Sequence, residues 1–198
     1  MLFNLDLPGR KTWAGDVKQI LCNLGFMHVW EQQQVGNETE FLTAFKNQLS
    51  IRLGHNWNTD IIDNKRLGTY GKFKTTLVTE TYVLLNSFRL RKCLAKLRCS
   101  SHALNIEKGR HDKVPYHERV CEICKNNVGE IFIEDEYHFV CVCYVYQELR
   151  QRFLPSYITT NPDEHNFLLL MASNEPAIVR NLAIYTNEAF KLRLKILQ

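Results

Sequence analysis

Signals that would name a function outright are scarce in this chain. No stretch approaches the roughly eighteen apolar residues of a membrane span, and the longest apolar cluster, 167–172, has the length of a core segment. A secretory signal is lacking as well: Asp6, Pro8, Gly9, Arg10 and Lys11 interrupt the opening MLFNLDLPGRKTW before an apolar core can form. There is no Gly-x-x-x-x-Gly-Lys phosphate loop and no Gly-x-Ser-x-Gly elbow, which removes common grounds for nucleotide hydrolysis or serine-hydrolase chemistry. No internal repeat or low-complexity tract is found. The net charge of +4 is too mild to declare a nucleic-acid partner by itself.

What is present is a globular composition. At 198 residues, with 45% hydrophobic and 23% charged residues, the chain suits one domain, or a domain with a small appendage. A compact chain of this size buries roughly 70% of its unfolded surface, so most of it can fold without a metal. Seven cysteines is an odd number. With no secretory segment, the expectation is an intracellular chain, nuclear or cytoplasmic, whose cysteines bind metal or sit buried instead of pairing.

Four residues carry definite chemistry. Cys121 and Cys124 are separated by two residues, so one tight turn can aim both sulfurs at one ion; thirteen residues later His138 and Cys143 offer a second pair across a four-residue gap. Three sulfurs and one imidazole form a closed tetrahedral set for a structural zinc ion, with no position left open for catalysis. Cys141 is the competing fourth ligand. Cys143 is favoured because it opens the apolar-periodic run Tyr144, Tyr146, Leu149, Phe153, and a ligand at a helix start is geometrically easy. His102, His111 and His117 belong to a basic linker, where hydrogen bonding or solvent exposure is expected. Cys22, Cys93 and Cys99 fall on helical apolar faces as small core residues.

Periodicity predicts a mainly α protein: a helical region over 1–103, a zinc-stapled β-turn/helix module over 104–155, and C-terminal helices over 156–198. Asp16 is the expected cap of a first helix that Gly25 stops. Asn37 with Glu40 has the form of a capping box, ahead of Phe41, Leu42, Phe45, Leu49 and Leu53 at helical spacing, with Gly54 as a stop. The stretch 56–74 reads as turn-rich, anchored by Trp57, Leu67, Tyr70 and Phe73. Helical spacing returns over 75–98, in two helices or one bent one. The pattern breaks over 100–119, a linker folded onto the metal module. A short strand over 130–134 pairs with the Cys121 turn, and a helix runs over 143–153. Asn161-Pro162-Asp163 and Asn174-Glu175-Pro176 are helix starts, proline fitting a first turn that needs no donor.

Charge is unevenly distributed. Over 87–119, Arg89, Arg91, Lys92, Lys96, Arg98, Lys108, Arg110, Lys113 and Arg119 oppose Glu107, Asp112 and Glu118, nine against three and a net of +6; over 120–136 five acids oppose Lys125, a net of −4. A basic helix and linker beside a metal module suit contact with the phosphates of RNA or DNA. The other reading of the same pattern is a solvated helix face tied by salt bridges to the acidic loop.

The runs Leu97-Arg98-Cys99-Ser100-Ser101-His102-Ala103-Leu104-Asn105-Ile106-Glu107-Lys108-Gly109-Arg110, Arg119-Val120-Cys121-Glu122-Ile123-Cys124 and Glu134-Asp135-Glu136-Tyr137-His138-Phe139, with Cys143, Tyr146 and Leu149-Arg150, resemble a known region. It is the Cys-Cys-His-Cys zinc-binding region that follows the reverse transcriptase domain in animal non-LTR (LINE-type) retrotransposon proteins. The resemblance extends to Gly25-Phe26, Trp30, Leu67, Tyr70, Phe73-Lys74 and the final helix, but it is specific only over about 97–150. It implies a nucleic-acid-associated tail of a reverse transcriptase-like protein, with Cys121, Cys124, His138 and Cys143 as zinc ligands and the polymerase part of a longer protein as a further partner. His102, Glu107, Gly109 and Arg110 match the family-like stretch and are assigned packing roles, Gly109 permitting a turn. The departures are the engines. No adjacent aspartate pair is present to hold two polymerase metals, and Pro162-Asp163 lacks the acid-x-Lys that a restriction-like nuclease needs. A non-catalytic binding module is the expectation, and a zinc-stabilised protein-interaction domain is its alternative.

Overall fold

The computed structural model describes residues 12–198. The chain divides into two compact units, Met1–Asp60 and Ile61–Gln198, each taken by itself below. Among the described residues the fold is mainly α-helical with no named strand, and no helix is long and apolar enough to cross a membrane.

In the first unit, α1 (Trp13–Asn23) is capped by Thr12, whose hydroxyl accepts from the Gly15 N–H at 3.1 Å. Asp16, the expected cap, sits instead in the first turn, where the helix dipole favours a carboxylate. The predicted stop at Gly25 is present. Phe26 N–H reaches the Leu21 carbonyl at 2.8 Å and Gly25 N–H the Cys22 carbonyl at 3.1 Å, with Gly25 at φ 82°. A side chain there would be strained. After α2 (Met27–Gln32), the predicted cap at Asn37 opens α3 (Glu38–Asp63): its side-chain oxygen accepts from Thr39 and Glu40 N–H groups, and its amide donates to Glu40.

Two expectations fail on α3. It runs through Gly54 and absorbs half of the stretch read as turn-rich, because a glycine inside a helix costs about 1 kcal/mol against alanine but breaks no backbone bond. Its apolar stripe is also only partly covered. Phe41 and Phe45 pack on Phe26, Val29, Trp30, Leu21 and Ala14, whereas Leu42, Leu49 and Leu53 are exposed. The 11 and 6 residues of α1 and α2 cannot span the 26 of α3. Cys22 is exposed as well, not a core residue.

In the second unit, a 3-10 turn (Lys65–Leu67) leads into α4 (Gly68–Phe73), and a second one (Thr81–Leu84) precedes α5 (Phe88–Arg98), capped by the Ser87 hydroxyl. The segment read as a linker contains α6 (Asn105–His111) and a 3-10 turn (Tyr116–Glu118), then α7 (Glu122–Val128). Gly109 lies inside α6, so it does not permit a turn. Its role is close approach: a Cβ there would meet Arg119 Cγ at 2.6 Å. The expected strand is reduced to one antiparallel bridge, Val120 with Ile133, held by Cys121 N–H to the Phe132 carbonyl and Glu134 N–H to the Arg119 carbonyl.

A π-helical turn (His138–Val142) leads to Cys143, and a 3-10 turn (Tyr144–Tyr146) replaces the first part of the helix expected over 143–153, which begins only at α8 (Gln147–Phe153). α9 (Ser156–Thr160) follows. α10 (Glu164–Ala172) is capped by the Asp163 carboxylate, accepting from Asn166 N–H at 2.7 Å, with Pro162 just outside. α11 (Pro176–Ile196) starts with proline in its first turn, as predicted, and packs along α5 and α8. Leu94, Leu97, Phe139, Tyr146, Ile158, Leu170, Leu182 and Tyr185 form the centre of this unit's core.

Candidate metal centre

Cys121 is the N-cap residue of α7, and Cys124 lies in its first turn, so both sulfurs leave one short segment. The second pair needs a different device. Cys143 N–H donates to the His138 carbonyl at 2.8 Å, five residues back, which widens the turn and brings the ends of a four-residue gap to one side. Asp135 fixes the start of that turn by accepting from His138 N–H at 2.8 Å. The donor atoms of Cys121, Cys124, His138 and Cys143 all lie within 4.8 Å of one another, and all four residues are buried. Cys124 Sγ stands 3.4 Å from His138 Nε2 and 3.7 Å from Cys143 Sγ. Cys141 lies outside this group, a neutral thiol that burial pushes up to about 12.

The chemistry of these side chains is that of a group able to hold a metal ion. The hydrogen bond with Cys143 holds the Cys121 thiol down to about 4, against the effect of burial and with help from His138 and the Cys124 backbone. Burial and the Cys121 charge push Cys124 up to about 11. Cys143 is raised by the bond it gives Cys121 and by burial. A cation bound by this set takes its sulfurs as thiolates, so binding releases protons that the raised Cys124 and Cys143 thiols hold.

The surrounding groups hold this geometry, and sequence reasoning gave them no role. Arg150, buried on α8, donates to the Cys143 carbonyl at 2.7 Å; Tyr185, buried on α11, donates to the Phe139 carbonyl at 2.7 Å. Both occupy backbone acceptors near a wide turn that would otherwise be buried unmet. Phe132 stacks on the His138 ring at 5.1 Å, while His138 Nδ1 is buried without a hydrogen-bond partner. Behind the cage, Glu134 takes two 2.7 Å bonds from Arg193 and one of 2.8 Å from Asn105 N–H. A buried arginine and glutamate this far apart in sequence leave no local signal.

The basic residues separate into two sets. Arg89, Lys92 and Lys96 are exposed on one face of α5, and Lys108 and Lys113 are exposed on and after α6. Arg110 is half-buried and pairs with Glu107. Arg98 is not available to a ligand, a correction to the charge reading: it is 6% exposed, ion-paired with Glu80 at 2.5 Å, bonded to the Met171 carbonyl and stacked on Phe73. Arg91 is half-buried, donates to the Leu85 carbonyl and lies over Phe88. His102 is buried on Glu136 at 2.9 Å, while His111 and His117 face solvent. The acidic loop does not neutralise α5. Glu134 is taken by Arg193, and Glu136 by Ser100 and His102.

A cavity of about 530 Å³ opens between α5 and α11, and one of about 480 Å³ adjoins it over α6; Ser101, His102 and Ala103 line both. Compared with family models, curated proteins and solved structures, the chain matches none.

Proposed function

We propose that this chain is a non-catalytic nucleic-acid-binding module stapled by one structural zinc ion, of the kind that follows a reverse transcriptase in non-LTR retroelement proteins. The donor set supports zinc. Tetrahedral bonds of about 2.3 Å to sulfur and about 2.0 Å to nitrogen set sulfurs roughly 3.8 Å apart and sulfur from nitrogen roughly 3.5 Å apart. Cys124 matches this with two of its partners, at 3.7 Å from Cys143 Sγ and 3.4 Å from His138 Nε2, within a set whose donors all lie within 4.8 Å of one another. Four protein donors close the coordination shell, so the ion's work is to hold 121–143 together, and no residue set for catalysis is proposed.

The observation that carries the binding reading is the face of Arg89, Lys92 and Lys96. These cations share one helix side, and among the described residues none is in an ion pair. Cations without an acidic partner, grouped on one helix side over a cavity, suit contact with phosphates. The partner is RNA or DNA.

The test is a salt titration of nucleic-acid binding by zinc-loaded protein. Each phosphate contact contributes about 0.7 (single strand) to 0.9 (duplex) to the slope of log K against log salt. Reversing Arg89 and Lys96 to glutamate should flatten that slope by about two contacts. A shallow slope that the reversals leave unchanged would refute the reading. A protein-interaction domain is the second reading, favoured by one feature: Leu77, Val78, Val83, Leu84 and Phe88 are all exposed within twelve residues. Association with the polymerase part of a longer protein, insensitive to salt and lost on Leu84→Asp, would select it.

A further inference from the structure

We infer that the groove between α5 and α11 takes an unpaired strand, seating a base on its apolar floor while the α5 cations hold the phosphates; this rests on the nucleic-acid reading above. The cavity has two layers. Phe190, Leu194 and Cys93 supply apolar wall, and Arg89, Lys92 and Lys96 supply the charge. Phe190 stacks on Phe139 at 4.6 Å, which fixes its ring in place. Arg89 is oriented by its 2.9 Å bond to Asn187, and the one arginine at the cavity that is internally neutralised is Arg193, held by Glu134.

A double helix keeps its bases stacked and paired, so it can offer this groove phosphates alone. It would leave the floor of the cavity in contact with water. A single strand offers both a negative backbone and flat apolar base faces, which match the rim and the floor together. Volume agrees with this: about 530 Å³ lies within the range of small-molecule pockets and holds one nucleotide side by side with its phosphate. The path also continues. Through Ser101, His102 and Ala103 the groove joins the second cavity, where Lys108 is exposed and Arg66 and Arg110 both pair with Glu107. A flexible strand can follow that track from α5 to α6. An acidic protein surface would match the rim, but it does not carry a flat apolar group with each charge as a nucleotide does.

The experiment compares a short mixed-sequence single-stranded oligonucleotide with its duplex, at one salt concentration, on zinc-loaded full-length protein. The expected result is a single-strand preference of roughly tenfold, the scale of one base stacked on an aromatic wall. Leu194→Gln, which makes the groove polar without touching the ring, should lower that preference. Leu194 is 57% exposed, so its replacement does not disturb the core. Phe190→Leu, which keeps apolar volume but removes the ring, should lower the preference in the same direction. Equal, salt-steep binding of strand and duplex would overturn base seating while leaving nucleic-acid binding intact. Absence of binding to either would overturn both readings. Competition by polyphosphate or polyglutamate as effective as that by the strand would also overturn the proposal, because the groove would then read charge alone.

Discussion

Arg193→Met probes the polar frame behind the cage. Arg193 and Glu134 exchange two parallel bonds of 2.7 Å, with their side chains only 8% and 3% exposed. Burial works against the charge on Arg193, but the Glu134 carboxylate outweighs it and raises the guanidinium's pKa. Removing the guanidinium strands a carboxylate that still receives Asn105 N–H but has lost its countercharge. A broken buried pair costs about 3–5 kcal/mol. For a chain of this size, at about 2–4 °C per kcal/mol, that is a fall in melting temperature on the order of 10 °C. Adding Glu134→Gln removes the stranded charge, keeps an acceptor for Asn105, and should recover most of the loss. Thermal and urea unfolding of the two single variants and the double variant close the thermodynamic cycle. If Arg193→Met lies within about 1 kcal/mol of wild type, or the double variant is no better than the single, the pair is not bearing the charge balance argued for it.

Three further outcomes are expected. If the four donors hold an ion, Cys143→Ser should abolish stoichiometric metal, measured by elemental analysis after dialysis, whereas Cys141→Ser should retain it, because only Cys143 stands with the other three donors. Gly109→Ala should destabilise the fold by about 1–3 kcal/mol in urea; Arg119 blocks the new Cβ and is held by the Val114 and Ile106 carbonyls, so it cannot swing aside freely. For pH, burial pushes the Glu136 carboxyl up, but His102 and Ser100 outweigh it and hold it below its ordinary value of 4.5. Its stabilising contribution is therefore complete above 4.5 and lost as pH falls through the lower folded-state value, so the difference in melting temperature between wild type and Glu136→Gln should shrink only on the acid side of 4.5.

Local rules written into neighbouring residues were readable. Asn37, Asp163 and Pro176 mark helix starts as their chemistry requires, Gly25 marks a stop, and the cysteine spacing identifies the four donors that come together. Reading failed where a residue's fate is set by distant chain. Arg98 falls among the surface cations in a charge tally because a tally carries no burial. The hint was available, since Leu94, Leu97 and Arg98 share one helix face, and that face is the buried one. The π-helical turn has no local signal, because the group that stabilises it at one end, Tyr185, lies over forty residues downstream. Gly54 failed as a stop for a simpler reason: a helix with continuous backbone bonding tolerates one poor residue.

The wide turn that carries His138 and Cys143 has a consequence for the portability of this metal module. All four donors fit inside twenty-three residues, which suggests a peptide that could be cut out and would fold around its ion. Its second half, however, borrows its backbone partners from α8 and α11. An excised 119–144 fragment would keep all four donors and lose both props, so any metal should be held more weakly there than in the parent chain. The converse also follows: a lesion at the far C-terminal end, touching no ligand, would be felt as metal loss.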